Sequence, residues 1–245
     1  MATMSASQTL PPAAEEKVGE GENDRKTSAV ETVKVPAPSV HVLYDGYSCI
    51  ENGNMRANCS CVLIKGKPNV IVDTMTAWDK DKIIKGLSSH GLAPSDIQYL
   101  VGTHGHSDHV GNLNLFTEAR HIVGFTIYEN DEFFLHPFET GERYSISDAI
   151  TVVPTPGHMA EHVSILVASV NHGMVAIAGD LFEKEEDIAN PRLWQDAGSE
   201  QPHAQKTHRS CVADLADHIV PGHGPMFTVT EEHRALLKEQ LESVS

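Results

Sequence analysis

The chain has 245 residues, 40% of them hydrophobic, and a formal net charge of -16, a length that accommodates one large domain or two small ones with a substantial core. So acidic a balance argues against a broad nucleic-acid-binding face, which is normally basic, while leaving room for a short basic groove or a locally positive metal site. No run approaches the ~18 apolar residues of a membrane helix. The first arginine, Arg25, follows Glu15, Glu16, Glu20, Glu22 and Asp24, unlike a mitochondrial presequence. With no basic-then-apolar leader, an intracellular protein is expected.

In chain order, residues 1–38 are rich in Ala, Ser, Thr, Glu and Pro with almost no large apolar side chains. Such a segment cannot offset its ordering entropy, so a disordered tail is expected, followed by one domain over residues 39–245. Apolar β-branched runs predict strands at Val40–Tyr44, Cys59–Lys65 and Val70–Asp73, and Ile83, Ile84 and Leu87 give one helical face within Trp78–Leu92. Ile97–Val101 reads as a strand leading into a histidine cluster, and a helix is expected to begin near Asp108 from the pattern Val110, Leu113, Leu115. Further strands are predicted at His121–Phe125, Ile150–Val153, Val163–Ser169, Met174–Ala178 and His218–Val220, with helices over Gln205–Leu215 and Thr230–Val244. Several strands lack a helical crossover, which implies mixed sheets with helices outside. Cys49, Cys59, Cys61 and Cys211 have neither zinc-finger nor redox spacing and read as reduced thiols; Asn58-Cys59-Ser60 is taken as a chance sequon.

The chemistry is concentrated in Thr103-His104-Gly105-His106-Ser107-Asp108-His109. His104 and His106 alternate along an extended segment, so both can face one side, with Asp108 and His109 following. Imidazole and carboxylate donors suit zinc, iron or manganese, and an N/O set completed by water is catalytic rather than structural. Three later points follow strands: Thr155-Pro156-Gly157-His158, Ala178-Gly179-Asp180 and Pro221-Gly222-His223. Each is a weak signal alone, and their order after the first cluster makes the combination strong.

With these motifs the sequence resembles the metallo-β-lactamase superfamily, from Val70-Ile71-Val72-Asp73 to His223. The resemblance implies an α/β (α+β) chain folded as an αββα sandwich, with metals at one edge of the two sheets. It implies that His104, His106 and His158 bind a first divalent ion and that Asp108, His109 and His223 bind a second, with Asp180 bridging. Zinc is the expected metal, with iron or manganese as alternatives. Asp108 is also the expected catalytic group, and Asp73 and His162 are supporting residues around the ligands. Two departures stand out: Met75 replaces a frequent glycine after Asp73-Thr74, so that turn is expected to be remodelled, and Met159-Ala160-Glu161-His162 replaces a common pattern after His158.

Spacing excludes several branches of that superfamily. Asp180 and His223 are too close for the β-CASP nuclease insertion, His158 and Asp180 too close for a transfer-RNA-processing arm, and too little follows His223 for a glyoxalase II extension. The wording of Val101–Leu113, of Gly179-Asp180-Leu181-Phe182-Glu183 and of Val220–Pro225 is similar to one compact two-metal branch. That likeness implies a homodimeric hydrolase of cytosol and nucleus, an endoribonuclease acting on RNA at histone pre-messenger 3′ ends. Arg56, Arg192 and Trp194 are the expected substrate contacts, Trp194 by stacking on a base. The acidic surface keeps two alternatives open: hydrolysis of a small thioester, lactone or amide, and a mononuclear iron persulfide dioxygenase.

Overall fold

The runs of Val, Ile and Leu become two mixed sheets in the computed structural model, which describes residues 36–242. The chain forms β1 (Ser39–Tyr44), a hairpin of β2 (Tyr47–Glu51) and β3 (Asn54–Asn58), then β4 (Cys61–Lys65) and β5 (Val70–Val72). Helix α1 (Lys80–Ser89) leads to β6 (Tyr99–Gly102), and after a loop come β7 (Arg120–Val123), β8 (Thr126–Glu129) and β9 (Glu132–Phe134). The second half runs through β10 (Tyr144–Ser147), β11 (Ile150–Pro154), β12 (Val163–Ser169) and β13 (Gly173–Gly179). Helices α2 (Glu186–Ala189), α3 (Arg192–Ala197) and α4 (Pro202–Leu215) precede β14 (His218–Pro221), β15 (Phe227–Thr228) and α5 (Glu231–Glu242). None of the described helices is long and apolar enough to cross a membrane.

One sheet has the order β1-β4-β5-β6-β7-β8-β9 and the other β10-β11-β12-β13-β14-β15. Their apolar faces meet in one core, where Val62, Val72, Val101 and Ile122 join Val152, Ile165, Ile177 and Val220, all almost fully buried. At about 1.5–3 kcal/mol for each such side chain, this layer is the main favourable term. Outside it, Ile71, Ile83, Leu87 and Leu100 join the first sheet to α1, and Ala176, Val212, Ile219 and Leu237 join the second to α4 and α5. The αββα sandwich expected from the motifs is the observed fold.

This topology positions chemistry at one edge. β5 pairs parallel with β6, and β13 parallel with β14, so the loops leaving these strands emerge side by side. β11 runs antiparallel to β12, and β12 antiparallel to β13, which sends β11 the same way as β13.

Two local expectations are corrected. No α-helix starts at Asp108: the Gly111 amide bonds the Met75 carbonyl at 2.9 Å and the Asn112 amide bonds Thr74 Oγ1, so these groups serve the neighbouring turn, and only a 3₁₀ turn forms at Leu113–Leu115. The turn after Asp73 is not remodelled away from a glycine-like conformation, because Met75 itself adopts φ 55°. A left-handed non-glycine costs about 1–2 kcal/mol, and burial of the Met75 side chain against the α1 side of the first sheet offsets it. The tail expected over residues 1–38 falls almost wholly outside the described residues; at the start of the domain Pro38 is buried and its carbonyl accepts the Val170 amide.

Beneath the site lies a buried ion pair. Arg209 of α4 donates to both carboxylate oxygens of Asp187 and to the Leu181 carbonyl, with its guanidinium over the Phe182 ring. Both charged residues are fully buried, and Asp187 also accepts the Glu183 amide at 2.7 Å. Removing one partner strands the other charge. Asp187→Ala should therefore destabilise the fold by roughly 3–5 kcal/mol in denaturant unfolding; a loss below about 1 kcal/mol would show the pair to be dispensable.

Candidate metal centre

Each strand end that reaches the shared edge delivers a donor group. β6 continues into Thr103-His104, β11 into the turn before His158, β13 into Asp180 and β14 into Gly222-His223. Gly222 is required by close approach: a Cβ there would lie 1.8 Å from Asp180 Oδ1.

His104 Nε2 lies 2.9 Å from His106 Nδ1, which lies 3.1 Å from His158 Nε2. Asp180 Oδ2 completes this group at 3.6 Å from His104 Nε2 and 3.3 Å from His158 Nε2. The second group is Asp108, His109 and His223. It meets the same carboxylate, with Asp180 Oδ1 3.2 Å from His109 Nε2 and Asp180 Oδ2 3.3 Å from His223 Nε2. All seven residues singled out as ligands from the sequence are thus brought together in two adjoining groups around Asp180.

The far sides of the His104, His109, His158 and His223 rings are occupied. His109 Nδ1 faces Asp73 Oδ2 at 2.8 Å, His158 Nδ1 the Gly198 carbonyl at 2.8 Å, and His223 Nδ1 the Asn58 carbonyl at 3.1 Å. Thr103 gives its hydroxyl hydrogen to Asp73 at 3.0 Å, so its oxygen accepts from His104 Nδ1 at 3.1 Å. In the neutral rings these bonds put the proton on Nδ1 and turn the Nε2 lone pair toward the shared carboxylate, an arrangement that a cation among them, a proton or a metal ion, relieves. Buried His109 Nε2 and Asp180 Oδ1 also lack an aligned hydrogen-bond partner. The donors therefore fit metal ions, and imidazole with carboxylate suits zinc, iron or manganese. His162 is placed differently: fully buried, it bonds Thr155 Oγ1 at 3.0 Å and stacks beneath His104 with ring centroids 5.3 Å apart. It supports His104 by packing, and among the described residues neither of its ring nitrogens bonds a candidate ligand.

A cavity of about 520 Å³ opens over the two groups. Its floor is His106, Asp108, His158, Asp180, Glu183 and His223; its walls are Ile50, Met55 and Ala57 of the hairpin and Leu193, Asp196 and Ala197 of α3, with Lys184 alongside. Of the expected substrate contacts, none lines this cavity. Trp194 is corrected outright: it is fully buried, with the Arg209 guanidinium 5.4 Å from its ring, and no face is open to a base. Arg56 is exposed but paired with Glu51, and Arg192 is an exposed residue at the start of α3. The hairpin wall was missed in the sequence although Asn52-Gly53, with φ 51° and 77°, is a strong signal for its two-residue turn.

A sequence profile of the metallo-beta-lactamase superfamily matches residues 55–223. The chain is 39% identical over 223 residues to metallo-beta-lactamase domain-containing protein 1 of Xenopus laevis, covering 89% of this chain and 94% of that one. The human protein of the same name is 39% identical over 165 residues, covering 66% of this chain and 60% of its own length. Among solved structures, a putative metallo-beta-lactamase of Thermotoga maritima superposes with a TM-score of 0.59 at 21% identity, covering 79% of this chain and all of that one. A Bacillus thuringiensis AiiA variant with N-decanoyl-L-homoserine at its active site superposes with a TM-score of 0.55 at 17% identity, covering 78% of this chain and 93% of that one.

Proton occupancy separates the two groups. Burial, reinforced by the neighbouring His109, holds His104 well below the usual histidine range, and burial also lowers His158. Their lone pairs are free at neutral pH. For His109 burial opposes the proton, yet the carboxylates of Asp180 and Asp73 outweigh it and raise the ring well above its usual range. His223 is likewise raised to about 9, burial being overcome by Asp180. A proton on Nε2 must leave before that nitrogen can ligate. Uptake by the His109–His223 group should therefore release protons, and its affinity should fall as pH drops below about 9. Calorimetry in buffers of different ionisation enthalpy measures this; ion uptake by that group with no proton released at neutral pH would contradict it.

Proposed function

The chain belongs to the metallo-β-lactamase superfamily, and we propose that it is a hydrolase working at a two-ion centre, on a small neutral lactone, thioester or amide with an apolar substituent. The carrying observation is the pair of donor groups meeting on one buried carboxylate, with His109 Nε2 and Asp180 Oδ1 lacking aligned partners. In this reading His104, His106 and His158 hold the first ion, Asp108, His109 and His223 the second, and Asp180 both. Two divalent ions, when bound, would supply Lewis acidity that acidifies a water and polarises the scissile group.

The chain's own residues do the rest. Asp73 orients His109, and the Asn58 and Gly198 carbonyls orient His223 and His158. Asp108, whose side chain is 20% exposed on the cavity floor, is the group placed to accept the attacking water's proton. Ile50, Met55, Leu193 and Ala197 give an apolar substituent a wall and exclude water from that side.

The cavity offers little to a polyanion. Lys184 is the one Lys or Arg among its lining residues, and a polyanion needs several Lys or Arg contacts at its phosphates. Lactone chemistry is also in keeping with the ligand named for the AiiA neighbour. The second reading, endoribonuclease action on RNA, draws on the likeness of Gly179-Asp180-Leu181-Phe182-Glu183 and Val220–Pro225 to the compact branch; a homodimer of cytosol and nucleus goes with it.

Metal-loaded protein should hydrolyse a lactone or thioester with an apolar chain, and His109→Ala should lower kcat/KM by about 100-fold or more. Ile50→Ser in the wall should raise KM several-fold with little change in kcat, the pattern of lost uniform binding. Cleavage of single-stranded RNA at a higher kcat/KM than any acyl substrate, abolished by the same His109→Ala change, would replace the first reading by the second.

A further inference from the structure

Glu183 is a buried carboxylate to which the seven-donor arrangement gives no part. The residue is 4% exposed, lies on the cavity floor, and its Oε1 has no hydrogen-bond partner. Taking a carboxylate out of water without a partner is costly, and a native protein keeps such a group where something else completes it. Its neighbours identify what that is. Oε2 lies 4.0 Å from His223 Nε2, and Oε1 lies 3.9 Å from His158 Nδ1, a nitrogen already engaged with the Gly198 carbonyl. The donor atoms of Asp180, Glu183 and His223 all lie within 4.8 Å of one another.

The backbone fixes this placement from both sides. The Glu183 amide donates to Asp187 Oδ2 at 2.7 Å, and its carbonyl accepts the His223 amide at 2.8 Å. The Glu183 and His223 backbones are thus tied to each other directly. Two donors bound to the same ion at about 2.0–2.2 Å are separated by no more than about 4.4 Å, so the 4.0 Å between Glu183 Oε2 and His223 Nε2 is within range. A substrate donor is the competing occupant. The backbone tie to His223, and a depth matching that of Asp180 at 3% exposed, favour an ion instead.

We propose that Glu183 is a further donor to the ion held by Asp108, His109 and His223, an inference that rests on the two-ion reading. The two positions then differ in character. The first has three imidazoles and a share of Asp180; the second has two imidazoles, Asp108, Glu183 and the other share of Asp180. Carboxylate donors suit harder ions, so the second position takes manganese or ferrous iron more readily than the first does.

The test titrates metal-depleted wild type and Glu183→Gln with Mn2+ and with Zn2+, reading stoichiometry by native mass spectrometry and affinity by calorimetry. The wild type should bind two ions. Glu183→Gln should bind the first with affinity within about threefold of wild type and the second at least ~10-fold more weakly, the loss being larger for Mn2+. Equal second-ion affinity in wild type and variant would overturn the proposal while leaving the two-ion reading intact; a wild type that binds a single ion would overturn that reading itself. Should the variant not fold, crystals of metal-loaded wild type decide: a Glu183 oxygen within about 2.6 Å of the second ion supports the assignment, and a longer distance overturns it.

Discussion

Asp180 is a carboxylate held at 3% exposure with nitrogens of His109, His158 and His223 within 3.3 Å and of His104 at 3.6 Å. An isolated carboxylate buried so deeply would lose several kcal/mol of solvation. Burial pushes its acidity in the neutral direction, yet the charges of His109 and His223 dominate and keep its carboxyl well below the usual carboxylate range. The anion thus exists in the interior only because the surrounding rings are arranged to meet it. That constraint determines the rest of the edge: a residue with no side chain at Gly222, strand ends in parallel register, and ring protons anchored away from the centre.

Support for this anion extends outward through the backbone. Gln205 of α4 donates to the Asp180 carbonyl, Arg209 to the Leu181 carbonyl, and the Gly222 amide to the Gly179 and Phe182 carbonyls. The same helix packs on the Gly157 turn that carries His158. Stability and ligand geometry are therefore coupled through α4, because the groups that bury the Asp187–Arg209 pair also hold the Asp180–Glu183 loop. The segment between α2 and α4 has a second role, since α3 walls the cavity while the Gly198 carbonyl behind it orients His158. A substrate pressed against that wall touches the element that aims a candidate ligand.

Much of this was legible in the residues themselves. The β-branched runs located the main strands of both sheets, and the spacing of His104, His106, Asp108, His109, His158, Asp180 and His223 identified the residues that converge. What was not legible depends on tertiary partners. The helix expected at Asp108 looked right by apolar period, but the amides of Gly111 and Asn112 are spent on the Thr74–Met75 turn. Met75 holds a glycine-like backbone because its side chain gains a buried site, which no local pattern reports. Trp194 looked like a loop aromatic free to stack, and burial near Arg209 and Phe182 removes it from the cavity. Glu183 was visible as part of a motif, but only the fold brings its carboxylate to His223.

The claim on which all of this depends is that two ions share Asp180. Diffraction data from metal-loaded crystals, collected on both sides of the metal's absorption edge, test it most directly. Two anomalous peaks are expected, one among His104, His106 and His158 and one among Asp108, His109 and His223, with Asp180 between them. A single peak confined to the first group at full metal loading would contradict it.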